Sequence, residues 1–249
     1  MNEDLVKRMV ADIPIFSYGE VDSTQNIARD LVDSDALGYG PIRAVISAKH
    51  QTKGRGRLDR SWESNADSSL LTTFIVKNDG DNSFYKISSI LISLCEYLET
   101  KNINVNIKWP NDIVFETNDG YLKLAGCLTE VYGKYLLIGV GINLRPDAYL
   151  GIEGCTSISE LGIDVGFDGL LSNLTSFASK NISLDSSGIK TKYEKYCSTI
   201  SKNVRVERTN GMLEGIATGI NNNGNLIIEE QGIVHTISEG DIIHLRLNS

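Results

Sequence analysis

Hydrophobic positions along this chain recur with a helical period in some stretches and a strand period in others, and each change of period marks an element. Asp22-Ser23-Thr24 is a helix-start signal, after which Ile27, Ala28, Leu31 and Val32 repeat at helical spacing, so Ser23 and Thr24 sit at a helix N-terminus. A short strand is predicted at Ala44–Ala48 and a longer apolar one at Leu70–Val76. Ile87, Ile90, Leu91, Leu94 and Leu98 then mark one face of an amphipathic helix. Strands are predicted at Val105–Lys108, Ile113–Phe115, Lys123–Val131 and Tyr135–Leu144, with Asn118-Asp119-Gly120 and Gly133-Lys134 as turns. The last two strands read as a hairpin. Helical patterns resume at Phe167–Ser179 and Ile189–Ile200, and short strands follow, separated by Asn210-Gly211, Asn221–Asn225 and Gln231-Gly232. The pattern predicts an α+β fold: a mixed, largely antiparallel sheet with helices packed on it over residues 1–201, then a small β-barrel over residues 202–249.

Composition narrows the class. The chain has 249 residues, 41% hydrophobic and 22% charged, which suits one or two globular domains that need no disulfide or structural metal to fold. The four cysteines form no CxxC pair and no histidine stands at metal-ligand spacing from them, so they read as thiols in a reducing compartment. Residues Met1 to Ile13 alternate charged with apolar positions and lack the apolar core of a signal peptide, and no apolar run approaches the ~20 residues of a membrane span. A cytoplasmic protein is expected, with no membrane partner. Net charge is −8, which argues against a protein that coats nucleic acid by bulk electrostatics. Against this background, Lys49 to Arg60 carries five Lys or Arg and one acid, a local charge of about +4.

That basic segment, Gln51-Thr52-Lys53-Gly54-Arg55-Gly56-Arg57-Leu58-Asp59-Arg60-Ser61-Trp62, alternates glycine with arginine. Glycine lets backbone N–H groups approach a ligand, and arginine offers planar forks matched to carboxylate and phosphate. On this segment alone a small-anion site, a solvated basic loop and a nucleic-acid contact carry equal weight. Lys108-Trp109-Pro110-Asn111-Asp112 comes where one strand ends and another begins, and groups a cation, an amide and a carboxylate within one turn. A self-capping surface turn is the alternative for its Pro-Asn-Asp. Lys123-Leu124-Ala125-Gly126 puts a glycine inside a strand, which weakens packing unless something approaches the backbone there, and in Gly139-Val140-Gly141-Ile142-Asn143 two glycines interrupt a β-rich run, either as a bulge or as a ligand wall. No Walker sequence and no strand-linked GxGxxG is present.

Together with Ser23-Thr24-Gln25-Asn26, these segments occur in the order and rough spacing of the biotin protein ligases, which the chain resembles over nearly its whole length. The resemblance continues through Gly215-Ile216-Ala217, Gly219-Ile220 and Leu226-Ile227-Ile228. It departs at Leu58-Asp59, where many members have a basic residue and a glycine. The resemblance implies a catalytic domain of class II synthetase-like fold with an SH3-like C-terminal barrel. It also implies a two-step ligation: ATP converts biotin to biotinyl-5′-AMP, and a lysine of a biotin carboxyl carrier protein or domain, from acetyl-CoA carboxylase or a related carboxylase, displaces AMP. Only 22 residues precede Ser23, fewer than an N-terminal DNA-binding domain needs, so a monofunctional enzyme without nucleic acid is expected. Exposed sheet edges permit a homodimer.

Residue roles follow from the same resemblance. Arg57, Lys123, Asp112 and Lys108 are the catalytic candidates. Ser23, Thr24, Gln51, Gly54, Arg55, Lys123, Gly126 and Gly139 are candidates for biotin, and Arg57, Arg60, Trp62, Lys108, Asn111 and Asn143 for the nucleotide. Fixed cations are needed because a carboxylate must meet an anionic phosphate. Two like charges at ~4 Å repel by about 4 kcal/mol at an effective dielectric near 20. Asp112 either accepts the proton of the carrier amine or serves as turn structure or a magnesium ligand. Magnesium (Mg2+) is expected with ATP, and no tightly bound prosthetic group. A lipoate or octanoyl ligase of related fold is the nearest rival, and a nucleic-acid-binding module is the rival from another class.

Overall fold

The computed structural model describes residues 5–34, 37–56, 61–63, 65–80, 82–149, 151–208, 211–238 and 241–244. Arg57, Arg60 and the Leu58-Asp59 departure therefore lie outside the described residues. An eight-stranded sheet is built from β1 (Val6–Val10), β2 (Ile13–Val21), β3 (Ile42–Gln51), β4 (Ser69–Lys77), β5 (Asn106–Lys108), β6 (Asp112–Thr117), β7 (Gly120–Tyr132) and β8 (Tyr135–Asn143). Its order is β1-β2-β3-β4-β8-β7-β6-β5. β2 and β3 pair in parallel, and the other neighbours are antiparallel. A parallel pair needs a crossover, and α1 (Thr24–Asp33) supplies it. That connection brings the start of α1 and the end of β3 to one place, since Val21 and Gln51 are register partners.

Side chains alternate across the sheet into two cores. Ala44, Ile46, Ile75 and Leu137 pack with Ala28 and Ile27 of α1, while Val45, Leu70, Phe74 and Ile138 join the larger core of α2 (Ser83–Glu99), α3 (Phe167–Asn181) and α4 (Ser186–Tyr196). β4 is buried on both faces along Ser69–Val76, which accounts for its unbroken apolar run. α1 is only ten residues long. Past its N-terminal end the same face of β6, β7 and β8 carries the cleft described below.

The expected α+β class and largely antiparallel sheet are observed. β1 and β2 are additional to the predicted elements. The helix predicted to Ile200 stops at Tyr196, because Cys197 leaves the helix to bridge Ile107 and the Ser198 N–H donates to the Ile107 carbonyl at 3.0 Å. The C-terminal strands β9 (Asn203–Arg208), β10 (Gly211–Ile220), β11 (Leu226–Glu230), β12 (Ile233–Ile237) and β13 (Asp241–His244) form a five-stranded antiparallel sheet in the order β12-β11-β10-β9-β13. Among the described residues no helix is long and apolar enough to cross a membrane.

Candidate active site

Two adjacent rows of register partners make the cleft floor. One runs Leu71–Gly141–Gly126–Asp112 across β4, β8, β7 and β6, and the next runs Thr73–Gly139–Leu128. Gly141 and Gly126 are direct partners, so two neighbouring strands lack a side chain at the same level. The indole of Trp62 fills part of that space: a Cβ on Gly141 would stand 2.5 Å from the ring, and one on Gly126 3.2 Å. The cleft of about 160 Å³ over this floor is lined by Ser23, Thr24 and Gln25 of the β2–α1 corner and by Gln51, Arg55 and Trp62 of the basic segment. Asn111, Asp112, Lys123, Gly126 and Gly139 close its other side. The Trp62 Nε1 is buried without a hydrogen-bond partner among the described residues, a donor in want of an acceptor.

Lys123 reaches the cleft because of a bulge. Asp112 pairs with Gly126 and Ile113 with Ala125, but Val114 pairs with Lys123, so Leu124 is the extra residue. Leu124 and Ala125 both enter the core, at 0% exposure, and the alternation beyond them is inverted. Lys123 therefore lies over Gly126, 3.1 Å from where a Cβ would be, with its Nζ 2.9 Å from the Asp112 carboxylate and 5.8 Å from the Trp62 ring. Residues 154–156 pin the bulged backbone: the Lys123 N–H donates to the Gly154 carbonyl at 2.8 Å, and the Thr156 N–H to the Lys123 carbonyl at 2.9 Å. Cys155 lies on that strap beside the ion pair. Burial pushes its thiol up, outweighing the opposite pull of Lys123, so it stays protonated at neutral pH and is no competing thiolate nucleophile.

On the opposite wall, the Thr24 N–H and hydroxyl both donate to Gln51 Oε1, at 2.7 and 2.9 Å, and Ser23 sits at the helix start with no capping bond from its side chain. Gln25 lies across β8, its Nε2 donating to the Leu128 carbonyl at 3.0 Å. Gly139 is what admits it, since a Cβ there would stand 2.9 Å from that Nε2. Gly139 lines the cleft with Gln25 lying beside it. Arg55 donates to Asn26 Oδ1 at 3.1 Å and lies 3.4 Å from Glu130, whose other carboxylate oxygen meets Arg29. This holds the basic segment against α1 and β7.

The remaining candidates are placed differently. Gly54 stays off the cleft wall; a Cβ there would collide with the Trp62 carbonyl, across the 3.1 Å bond from the Trp62 N–H to the Gly54 carbonyl, so it serves the closure of the basic loop. Asn143 is buried behind the cleft, its Nδ2 donating to the Thr156 carbonyl at 3.0 Å, and so secures the strap that holds Lys123. Lys108 is the register partner of Asp112 on the edge strand and does not line the cleft. Asn111 does, with its Nδ2 donating to the Cys127 carbonyl. Gln25 and Gly141 are cleft residues that carried no individual role in the sequence reading, although both stood within quoted motifs. Among the described residues no three His, Cys, Asp or Glu side chains gather as a metal site.

Gly141→Ala tests the glycine floor. The added methyl cannot coexist with the indole at 2.5 Å, so Trp62 is expected to leave, with a red shift of its fluorescence and little change in melting temperature. Trp62→Phe supplies the reference spectrum. An unshifted spectrum would mean that the indole does not rest on this floor.

The Biotin/lipoate A/B protein ligase family profile matches residues 20–147, and the Biotin protein ligase C terminal domain profile matches residues 199–245. The chain is similar to the Biotin--[acetyl-CoA-carboxylase] ligase of Mycobacterium tuberculosis, with 28% identity over 238 residues, 91% of this chain and 88% of that protein. Against the bifunctional ligase/repressor BirA of Escherichia coli the identity is 28% over 248 residues, 94% of this chain and 73% of that protein. Among solved structures, the biotin protein ligase of Aquifex aeolicus in complex with biotin and ATP aligns with a TM-score of 0.78 at 25% identity, covering 94% of this chain and 99% of that one.

Proposed function

The chain belongs to the biotin/lipoate A/B protein ligase family, and from that premise we propose that its cleft activates biotin with ATP as biotinyl-5′-AMP and transfers the biotinyl group to a lysine of a carrier protein. The Lys123–Asp112 ion pair, set where two neighbouring strands meet as Gly126 and Gly141, carries this reading. A flat ligand can lie on the glycine floor with a cation at its reacting end and a carboxylate one strand away. The biotin protein ligase C-terminal domain at residues 199–245 favours biotin over lipoate within the family. The carrier expected is that of acetyl-CoA carboxylase, the substrate in the name of the M. tuberculosis relative, and we place the boundary between catalytic and C-terminal domains at 201/202.

In the first step the biotin carboxylate attacks the α-phosphorus of ATP and pyrophosphate leaves. Lys123 swings from Asp112 to the anionic oxygens, where a fixed cation offsets the repulsion of carboxylate and phosphate. Arg57 is assigned to the same centre, and Arg60 and Lys108 to the more distant phosphates. The oxygen of Gln51 is committed to Thr24, so its amide NH2 is the end left to donate to the ureido carbonyl, with Ser23 beside it. Trp62 leaves the floor to cover the adenylate, and its unpaired N–H gains an acceptor. Asn111 would offer an oxygen to a Mg2+ that enters with ATP, consistent with an ion held by one or two protein oxygens and the substrate phosphates. In the second step the carrier amine, neutral in only about 0.04% of molecules at pH 7, gives its proton to Asp112 and attacks the acyl carbon as AMP leaves.

The deciding experiment is incubation of the chain with ATP, magnesium, biotin and a biotin carrier domain, followed by intact mass. One added biotinyl group on the carrier is expected. Modification by lipoate or octanoate in place of biotin would transfer the assignment to the other branch of the family.

A further inference from the structure

We infer that Trp109 is a positioning residue, through which the C-terminal sheet holds the catalytic bend; the inference rests on the ligase reading for its kinetic consequences and on geometry alone for its mechanical ones. Trp109 is 2% exposed and immediately precedes Pro110, Asn111 and Asp112. Its Nε1 donates to the Gly224 carbonyl at 2.8 Å, inside the turn between β10 and β11, and its backbone N–H donates to the buried Thr199 hydroxyl at 3.0 Å. One residue on, the Pro110 carbonyl accepts from the Tyr193 hydroxyl of α4 at 3.1 Å. The bend is thus tethered on its outer side by three separate segments, while on its inner side Asn111 and Asp112 pair with β7 and face the cleft.

The β10–β11 turn is built to keep the Gly224 carbonyl in place. Asn221 Oδ1 accepts from the backbone N–H groups of Asn223 and Asn225, at 2.9 and 3.0 Å, and the Gly224 N–H donates to the Asn221 carbonyl at 3.0 Å. Asn82, which caps α2, donates from Nδ2 to the Asn222 carbonyl at 2.8 Å and so ties the turn to the catalytic domain. Gly224 has φ +80°, and any Cβ there would run into the ring of Phe84, which in turn packs edge-on against Tyr193 at 4.8 Å. Asn221, Gly224, Phe84, Tyr193 and Trp109 therefore form one connected support whose output is the placement of Asn111 and Asp112. A buried indole N–H that lost its acceptor would be an orphaned donor, so the contact is costly to leave unmade.

Two variants perturb this contact from opposite ends. Trp109→Phe keeps an aromatic ring, though a smaller one, and removes the donor, and Gly224→Ala pushes the turn away from Phe84. Amide hydrogen exchange over residues 108–113 is expected to quicken at least tenfold in both, with exchange in β3 and β4 unchanged. Unchanged exchange over 108–113 would overturn the inference whether or not the chain is a ligase. Kinetically, the transfer of biotin from preformed biotinyl-AMP to the carrier should slow about tenfold in either variant. KM for biotin should stay within twofold, because Ser23, Thr24 and Gln51 are on the far wall. The double variant should be no slower than the worse single one, since both break the same contact. A rise in KM for biotin matching the fall in kcat would mean general loosening of the fold and would count against positioning. Absence of biotinyl-AMP formation by the unaltered chain would sink the ligase reading alone, with hydrogen exchange still deciding the mechanical one.

Discussion

Replacing Lys123 by alanine is expected to lower the rate of biotinyl-AMP formation by about a thousandfold. A preorganised donor or cation aimed at developing charge is worth about 10²–10³ in rate. The geometry around Lys123 argues for the upper end. Its Nζ lies 2.9 Å from Asp112, so removing the ammonium deletes a cation and also leaves an uncompensated carboxylate where two more anions must meet. This makes the single variant worse than the loss of its own contact, and it yields a second expectation. In Lys123→Ala/Asp112→Ala the extra negative charge is gone, and adenylation should recover by about tenfold over Lys123→Ala. Pyrophosphate exchange with labelled ATP measures both. A wild-type rate in Lys123→Ala would remove it from the reacting centre, and a double variant no faster than the single would show that the pair is not electrostatically coupled.

Why Lys123 is in the cleft at all was not legible from period. Lys123 and Gly126 are three residues apart, so strict alternation sends them to opposite faces of β7. Only the bulge at Leu124 turns both toward the cleft, and nothing in Lys-Leu-Ala-Gly announces a bulge. The partnership of Gly141 with Gly126 was equally hidden, because it depends on the register between β7 and β8. That β7 and β8 are consecutive hairpin strands was readable; that their glycines meet was not. Gly139 shows the reverse limit. A glycine inside a strand is compatible with a bulge or with something lying against the backbone, and the group that comes close here is Gln25, more than a hundred residues away in the chain.

The elements that were readable are those whose burial is simple. β4 is covered on both faces and reads as a continuous apolar run, and α2 carries Ile90, Leu91, Leu94 and Leu98 at helical spacing within a stretch buried on almost every side from Ser88 to Leu98. β1 is an edge strand with Val6 and Met9 exposed, so burial leaves little imprint on its sequence. Trp109 stands within the Lys108–Asp112 motif, yet its indole donates to the Gly224 carbonyl in the β10–β11 turn and does not line the cleft. For Trp109 the missing information lay in a partner distant along the chain.

Asp112→Asn is expected to separate the two half-reactions. Asparagine keeps the size of the side chain and its place on the floor between Lys108 and Gly126, so biotinyl-AMP should still form within about tenfold of the normal rate. The carboxamide cannot take a proton, however, and general-base catalysis contributes about 10²–10⁴. Transfer from preformed biotinyl-AMP to the carrier lysine should therefore fall by about 10³. The pH dependence identifies the cause. A wild-type site with its own base leaves the amine neutral when it attacks, whereas the variant must wait for solvent to deprotonate a lysine of pKa about 10.4. Its transfer rate should then climb about tenfold for each pH unit between 7 and 9, narrowing the gap to the wild type as the medium takes over the role of the carboxylate. Equal losses in the two half-reactions would assign Asp112 to magnesium or to the turn. A constant gap across that pH range would mean that it orients the amine without accepting its proton, and only a gap that closes as pH rises identifies the base.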